Sequence, residues 1–255
     1  MFFRGDLEAE RTGAEKEYSR QRAAEKGKEI RMNRHIAIDG PAGSGKSTIA
    51  KIVAKRRGLI YVDTGAMYRA MAIHFLRLGL TADDEEGITK ACESADVTID
   101  YVDGQQQVIL CGENVTPSLR REEVGKMASA SSVYAAVRTK MTALQQKLAA
   151  EKTVVMDGRD IGTVVLPDAF LKIYMTASAD VRAKRRFDEL TAKGESPDFE
   201  TLKGEIIERD YRDSHREIAP LKQAEDAFLL DTSDMSIDMV AGYVLGLYDE
   251  RNSRS

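Results

Sequence analysis

The sequence predicts an α/β fold in which a five-stranded parallel sheet carries helices on both faces and is interrupted by a small antiparallel insertion. Three observations point there. Five short apolar runs alternate with longer segments of helical period, the pattern of strands linked by crossover helices. A glycine-rich loop joins the first run to the first helical segment. In the middle of the chain the alternation gives way to two β-rich runs around Asp103-Gly104, a hairpin signal.

Residues 1–31 interleave charges of both signs with alanine and few bulky apolar side chains, so they bury little. They are expected to form a charged arm, frayed or weakly docked, because i,i+4 pairs contribute only about 0.3–0.5 kcal/mol each. Met32 stands just before the first strand-like run and is the expected start of the functional protein, with the residues upstream an extension. The expected strands are His35–Ile38, Leu59–Val62, Thr153–Met156, Leu171–Met175 and Ala227–Leu230. Between about Leu80 and Leu119 lies the antiparallel insertion, with its hairpin near 97–115. The last helix shows its period in Ile237, Val240, Val244 and Leu247 after Ser236 as a cap, and is expected to close the core.

With 255 residues, the chain has room for one large domain or one domain with inserted lobes. A hydrophobic share of 42% against 31% charged residues excludes wholesale disorder. The 38 Lys and Arg are outnumbered by 42 Asp and Glu, so there is no bulk attraction to nucleic acid or to an anionic membrane. Any anion must be held by a local constellation. Cys92 and Cys111 fit neither a disulfide scaffold nor a zinc site, and a reducing cytoplasm is expected. No apolar run is long enough for a membrane span, and charge follows Met1-Phe2-Phe3 where a secretion signal would continue apolar.

Gly40-Pro41-Ala42-Gly43-Ser44-Gly45-Lys46-Ser47, followed by Thr48, matches G-x-x-x-x-G-K-[ST] between a strand and a helix. Glycines let backbone N–H groups crowd around phosphate oxygens, and the helix N-terminus adds its dipole. Lys46 reaches the β- and γ-phosphates and the Ser47 hydroxyl ligates Mg²⁺, so the loop is expected to bind a nucleoside triphosphate. Neither an Asn-Lys-x-Asp guanine motif nor a Leu-Ser-Gly-Gly-Gln transporter motif accompanies it.

The second run ends in Asp63-Thr64-Gly65-Ala66-Met67-Tyr68-Arg69 and the third in Asp157-Gly158-Arg159-Asp160. In an open α/β sheet the carboxyl edge of such strands is where ligands sit. An acid directly after a strand can hold the water shell of Mg²⁺, and an arginine can fork onto phosphate. Two helical segments are dense in arginine: Arg182, Arg185 and Arg186 share one face, and Arg209, Arg212 and Arg216 recur at i, i+3 and i+7. Solvated faces held by pairs such as Glu205 with Arg209 and Glu208 with Arg212 are the plain alternative. Phosphoryl transfer, which gathers negative charge, is the functional one. His35, His74 and His215 are too scattered for a metal site or a base relay.

IAIDGPAGSGKST, VDTGAMYRA, MDGRDIGTVVLPDA and ERDYRDSHREIAPL occur in this order and spacing, and with them residues 34–250 resemble the bacterial cytidylate kinases of the nucleoside monophosphate kinase group. The resemblance implies a P-loop kinase fold with a short helical lid over ATP, formed around Arg182, Arg185 and Arg186. It implies a core at 32–64, 150–181 and 217–255, a monophosphate lobe at 65–149, and at 182–216 the lid with the following arginine-bearing helix. The activity implied is transfer of the γ-phosphoryl group of ATP to CMP or dCMP, with Lys46, Asp157, Arg159, Arg182 and Arg186 in catalysis and Ser47 and Asp157 at Mg²⁺. Family members grip the monophosphate with arginines matching Arg69, Arg159 and Arg216. They read the base with residues matching Thr64, Arg138 and Asp160, and the sugar with residues matching Ser129, Arg209 and Asp213. A monomer acting on small molecules is expected. The other readings are a P-loop kinase for a different acceptor, such as AMP, UMP or a non-nucleotide acid, and a nucleotide-dependent binding protein that transfers nothing.

Overall fold

The computed structural model describes residues 34–254. The charged arm expected at 1–31 and the start expected at Met32 lie outside the described residues. Five strands form the main sheet: β1 (Ile36–Asp39), β2 (Ile60–Asp63), β6 (Val154–Gly158), β7 (Leu171–Thr176) and β8 (Phe228–Asp231). Their order is β2-β6-β1-β7-β8, every pairing parallel. Each begins and ends within two residues of the run that predicts it.

The sequence alternation has its physical cause in the two faces of this sheet. Ile36, Ile38, Val155, Leu171, Ile173 and Met175 point to one side. There they meet helices α1 (Lys46–Arg57) and α8 (Ile237–Arg254) through Ile49, Val53, Val240 and Val244. Ala37, Val62, Val154 and Met156 point to the other side and meet α2 (Thr64–Arg77) through Met67, Ala70 and Met71. Helices α3 (Glu85–Ser94), α4 (Glu122–Ser131) and α5 (Ala135–Glu151) extend that second layer. A sheet covered on both faces needs strands that are apolar throughout, and β1 and β6 are buried at every position.

The last helix departs from expectation in one respect. Ser236 caps it, its hydroxyl accepting from Met239 N at 3.3 Å, but Ile237 is 57% exposed. The buried stripe runs through Val240, Ala241, Val244, Leu245 and Tyr248.

The insertion is a three-stranded antiparallel sheet of β3 (Val97–Val102), β4 (Gln105–Leu110) and β5 (Glu113–Asn114). Asp103 and Gly104 take φ of 52° and 72°, the positive pair that a two-residue hairpin turn requires. Helices α6 (Ala179–Ala192) and α7 (Phe199–His215) pack on each other, with Phe187 edge-on to Phe199 at 6.2 Å. Residues 182–216, where the lid and an arginine-bearing helix are expected, cover most of these two helices and the link between them. The divisions expected at 149/150 and 181/182 fall inside α5 and α6.

The chain goes from β1 to β2 and β6 on one side, then crosses to β7 and β8 on the other. The reversal opens a crevice at the carboxyl ends of β1 and β6, the place where open α/β sheets bind ligands.

Candidate active site

Residues 40–45 leave β1 at that crevice and turn into α1. Gly40 has φ of +146°, and a Cβ there would stand 1.9 Å from the Met175 carbonyl oxygen, so no side chain fits. Gly45, in a left-handed conformation, starts α1 without any side-chain cap, and the first turn carries no acid. Its free N–H groups and dipole are left for an anion. Lys46 is buried and curls over the loop, its Nζ donating to Pro41 O at 2.6 Å and to Ser44 Oγ at 3.3 Å. Burial, then the Arg159 guanidinium, lowers its pKa to about 7.

Ser47, next on α1, donates to Asp157 Oδ2 at 2.7 Å, which ties the loop to the end of β6. Asp157 Oδ1 is buried without a hydrogen-bond partner. Burial and the neighbouring Asp63 raise the Asp157 pKa, against the pull of Lys46. A hydroxyl and a carboxylate with one oxygen unused form a hard-donor pair that fits Mg²⁺, which takes few protein ligands and completes its shell with water and phosphate. Among the described residues no cluster of three or more His, Cys, Asp or Glu could hold a metal by itself.

The remaining predicted residues gather beside this pair. Arg159, half-buried after β6, donates from Nε to Asp213 Oδ2 of α7 at 2.8 Å. Asp213 feels burial raising its pKa, but Arg159, Arg209 and Arg216 outweigh it and hold the carboxyl below its usual value. Asp160 is 4% exposed and lies between two guanidiniums: Arg138 of α5 bonds its Oδ2, and Arg216 Nη2 stands 3.9 Å from Oδ1. Arg138 also stacks over the Tyr68 ring at 5.8 Å. Arg209 turns inward, with burial and Arg159 pulling its pKa down to about 10. The solvated-face alternative for that helix is thus confined to Arg212, which pairs with Glu208 at 3.8 Å. Arg69 Nη1 lies 4.0 Å from Asp63 Oδ2. Thr64 is buried and spends its hydroxyl proton on Asp157 O at 2.7 Å, which leaves it only acceptor capacity for a ligand. Ser129 sits half-buried on α4.

Residues 36–250 match the family model for cytidylate kinase. The chain belongs to the cytidylate kinase family. A cytidylate kinase of Caldicellulosiruptor saccharolyticus is 49% identical over 214 residues, which is 84% of this chain and 95% of that protein. One from Caldicellulosiruptor bescii is 50% identical with the same two coverages. One from Bacillus licheniformis is 50% identical over 218 residues, 85% of this chain and 96% of that one. No helix among the described residues is long and apolar enough to cross a membrane.

The three arginines of α6, expected together around a lid, sit in different surroundings. Arg182, expected among the catalytic residues, is 5% exposed, and each of its guanidinium nitrogens has a partner. Its Nε donates to Ala177 O at 2.9 Å, its Nη1 to Ala42 O in the phosphate loop at 3.1 Å, and its Nη2 to Asp210 at 2.6 Å. It braces the loop against α7. Arg185 donates to Thr232 O at 2.8 Å, while Arg186 is exposed and pairs with Glu189 at 3.0 Å. The i, i+3, i+4 spacing hides three different environments, because packing against the core takes only the edge of the helix face on which Arg182 sits.

One residue is missing from the sequence-based set. Asp39, at the buried end of β1, accepts from Ile161 N at 2.8 Å and Gly162 N at 2.7 Å, and so fixes the turn that presents Arg159 and Asp160. That turn continues as a π-type turn at Ile161–Val165, a form often found at functional sites. An Asp ending a strand beside a phosphate loop is ordinary in sequence, and only the fold gives it two donors.

Burial raises the Asp39 pKa from 3.8 to about 6, against the two N–H donors. The folded chain therefore binds this proton more tightly than the unfolded one between about pH 4 and 6, and stability falls as pH rises through that window. Asp39→Asn removes this slope. Urea denaturation should show the wild type losing about 3 kcal/mol relative to the Asn variant from pH 4 to 7, since each tenfold difference in proton affinity is worth about 1.36 kcal/mol. A pH-independent difference would separate Asp39 from that titration.

Proposed function

We propose that the chain transfers the γ-phosphoryl group of ATP to CMP or dCMP, giving ADP and CDP or dCDP. The observation that carries this reading, beside family membership, is a set of buried arginine nitrogens without hydrogen-bond partners: Arg138 Nε, Arg209 Nε and Arg216 Nη2. Buried donors in a native structure are almost always paired. Three in one cluster, a strand-end away from a phosphate loop, suit an anionic acceptor facing ATP.

ATP lies with its phosphates in the loop 40–48, where backbone N–H groups and Lys46 take the β- and γ-oxygens. Ser47 and Asp157 would hold Mg²⁺, which supplies charge screening between the phosphates when bound. Arg69, Arg159 and Arg216 grip the monophosphate, and Ser129, Arg209 and Asp213 take the sugar. Asp160 accepts from the cytosine amino group and Arg138 donates to the ring acceptors, with Thr64 offering its lone pairs. No protein base is required, because a nucleoside monophosphate presents an oxygen already deprotonated at neutral pH. Positioning and charge screening supply the rate.

Arg159 and Asp213 hold one another, as do Arg138 and Asp160. The acceptor exchanges these internal pairs for its own phosphate, hydroxyl and amino groups. Arg182 keeps the loop in register through Ala42, and Arg186 is the exposed arginine of α6, able to exchange Glu189 for the transferred group. Helices α6 and α7 close over the two nucleotides to exclude water before transfer. All these groups come from one chain, so a monomer suffices, working on small molecules and not on nucleic acid, in the cytoplasm where both nucleotides are found.

The test is ADP formation from MgATP with CMP, dCMP, UMP, AMP and GMP offered separately. Turnover confined mainly to CMP and dCMP is the expected result. ADP formation indifferent to every monophosphate would overturn the reading.

A further inference from the structure

Strand β2 is an edge strand, paired on one side only, with β6. Ile60 N turns inward to bond Thr153 O at 3.1 Å, so in the alternation of a strand Tyr61 and Asp63 point their N–H and C=O groups off the open edge. Unpaired groups at such an edge need partners. The insertion supplies them with side chains. Gln106 of β4 accepts from Asp63 N through Oε1 at 2.8 Å and reaches Asp63 O with Nε2 at 3.4 Å. Its primary amide thus pairs with both polar groups of one residue, as the backbone of an added strand would. Tyr101, directly opposite Gln106 in the β3–β4 ladder, donates its hydroxyl to Tyr61 O at 2.9 Å.

The two clipped residues border the site. Asp63 caps α2 by accepting from Ala66 N at 2.9 Å, faces Arg69, and stands in register with Asp157. Arg69 lies in the second turn of α2 with its guanidinium 4.0 Å from Asp63, so the position of Asp63 sets where that guanidinium can reach. Nothing in the sequence distinguishes Gln106 from its neighbours Gln105 and Gln107; only the register of the hairpin does.

We propose that Gln106, seconded by Tyr101, is a positioning residue for the monophosphate site, through which the antiparallel insertion holds Asp63 and with it Arg69 in place. The inference rests on the acceptor site described above. It also explains what the insertion contributes. The small sheet stands in for a missing strand at the edge that carries the acceptor-side residues, while the phosphate loop joins β1 to α1 and is tied by hydrogen bonds to Asp157 and Arg182, outside the small sheet. The clip should therefore be felt by CMP and hardly by ATP.

The experiment compares steady-state kinetics of the full chain with Gln106→Met, which keeps length and loses both bonds, and with Tyr101→Phe, which removes one hydroxyl. The expected result for Gln106→Met is a KM for CMP raised about tenfold, with kcat and the KM for ATP changed by no more than about twofold, the signature of lost ground-state positioning. Tyr101→Phe should shift the same constant in the same direction by about two- to threefold, and it guards against a Met variant that does not fold. An unchanged KM for CMP in both folded variants would overturn the proposal. So would a parallel loss of kcat and of affinity for both substrates that tracks a lowered Tm, since that is mere destabilisation. Wild-type turnover is the control that separates the failures. If CMP does not stimulate the unmodified protein, the acceptor reading itself falls, and this inference with it.

Discussion

Lys46→Met is expected to lower kcat for CMP phosphorylation by about 10³-fold, near the upper range for removing one preorganised donor at developing charge. The side chain is buried and held to its own loop by Pro41 O and Ser44 Oγ, so its ammonium is already inside the site before any phosphate arrives. Little reorganisation is needed when phosphate oxygens replace those partners. Methionine preserves the volume and removes the charge, which isolates the electrostatic effect from packing.

Stability should move the other way. Burial and Arg159 hold the Lys46 pKa at about 7, below its ordinary 10.5. The folded protein therefore binds fewer protons than the unfolded one between those values, and the penalty of the buried cation is fully present below about pH 7. The Met variant should gain in Tm over wild type at pH 6 and lose that advantage as pH rises through the window. A variant inactive and also less stable at pH 6 would show that the loop had collapsed, and the kinetic result would then say nothing about charge.

Much of this site is legible from residues alone, for a physical reason. A phosphate loop must place glycine where φ is positive or a backbone passes close, as Gly40 does against Met175, and a lysine where the helix begins. Such local demands leave local signatures. The strand runs are legible because the central strands of a sheet covered on both faces are almost wholly apolar short of the acids at their carboxyl ends, and the buried exception, Lys172, is paired with Asp226. What is not legible depends on contacts across the chain. Arg182 reads like Arg186, yet one braces the loop at Ala42 and the other faces solvent, because only the packing of α6 tells them apart. Asp39 and Gln106 look ordinary until β1 meets residues 161–162 and β4 meets β2. Positioning residues act through backbone groups, and backbone groups have no letter in the sequence.

Asp160→Ala is expected to have the second large effect, and on two quantities at once. The carboxylate is buried between Arg138 and Arg216. Its removal takes the hydrogen-bonded carboxylate from Arg138 and leaves Arg216 with Asp213 alone, and breaking a buried pair in this way costs about 3–5 kcal/mol. Urea denaturation should show a loss of that order, and Asp160→Asn, which keeps an acceptor oxygen, a smaller one. The second quantity is base choice. A carboxylate accepts from the cytosine amino group and meets the wrong partner in the uracil carbonyl, and sites built on such hydrogen bonds discriminate by about 10⁴. The ratio of kcat/KM for CMP over UMP should therefore fall at least tenfold in both variants, beyond any common loss of activity. The Asn variant decides between two origins of that fall. Its amide turns either its oxygen or its nitrogen toward the base, so it tolerates uracil while filling the same space. If Ala erodes the preference and Asn restores it, shape alone sets the choice. If both erode it, the charge and acceptor pattern of Asp160 does, and a ratio untouched in either variant removes Asp160 from base reading.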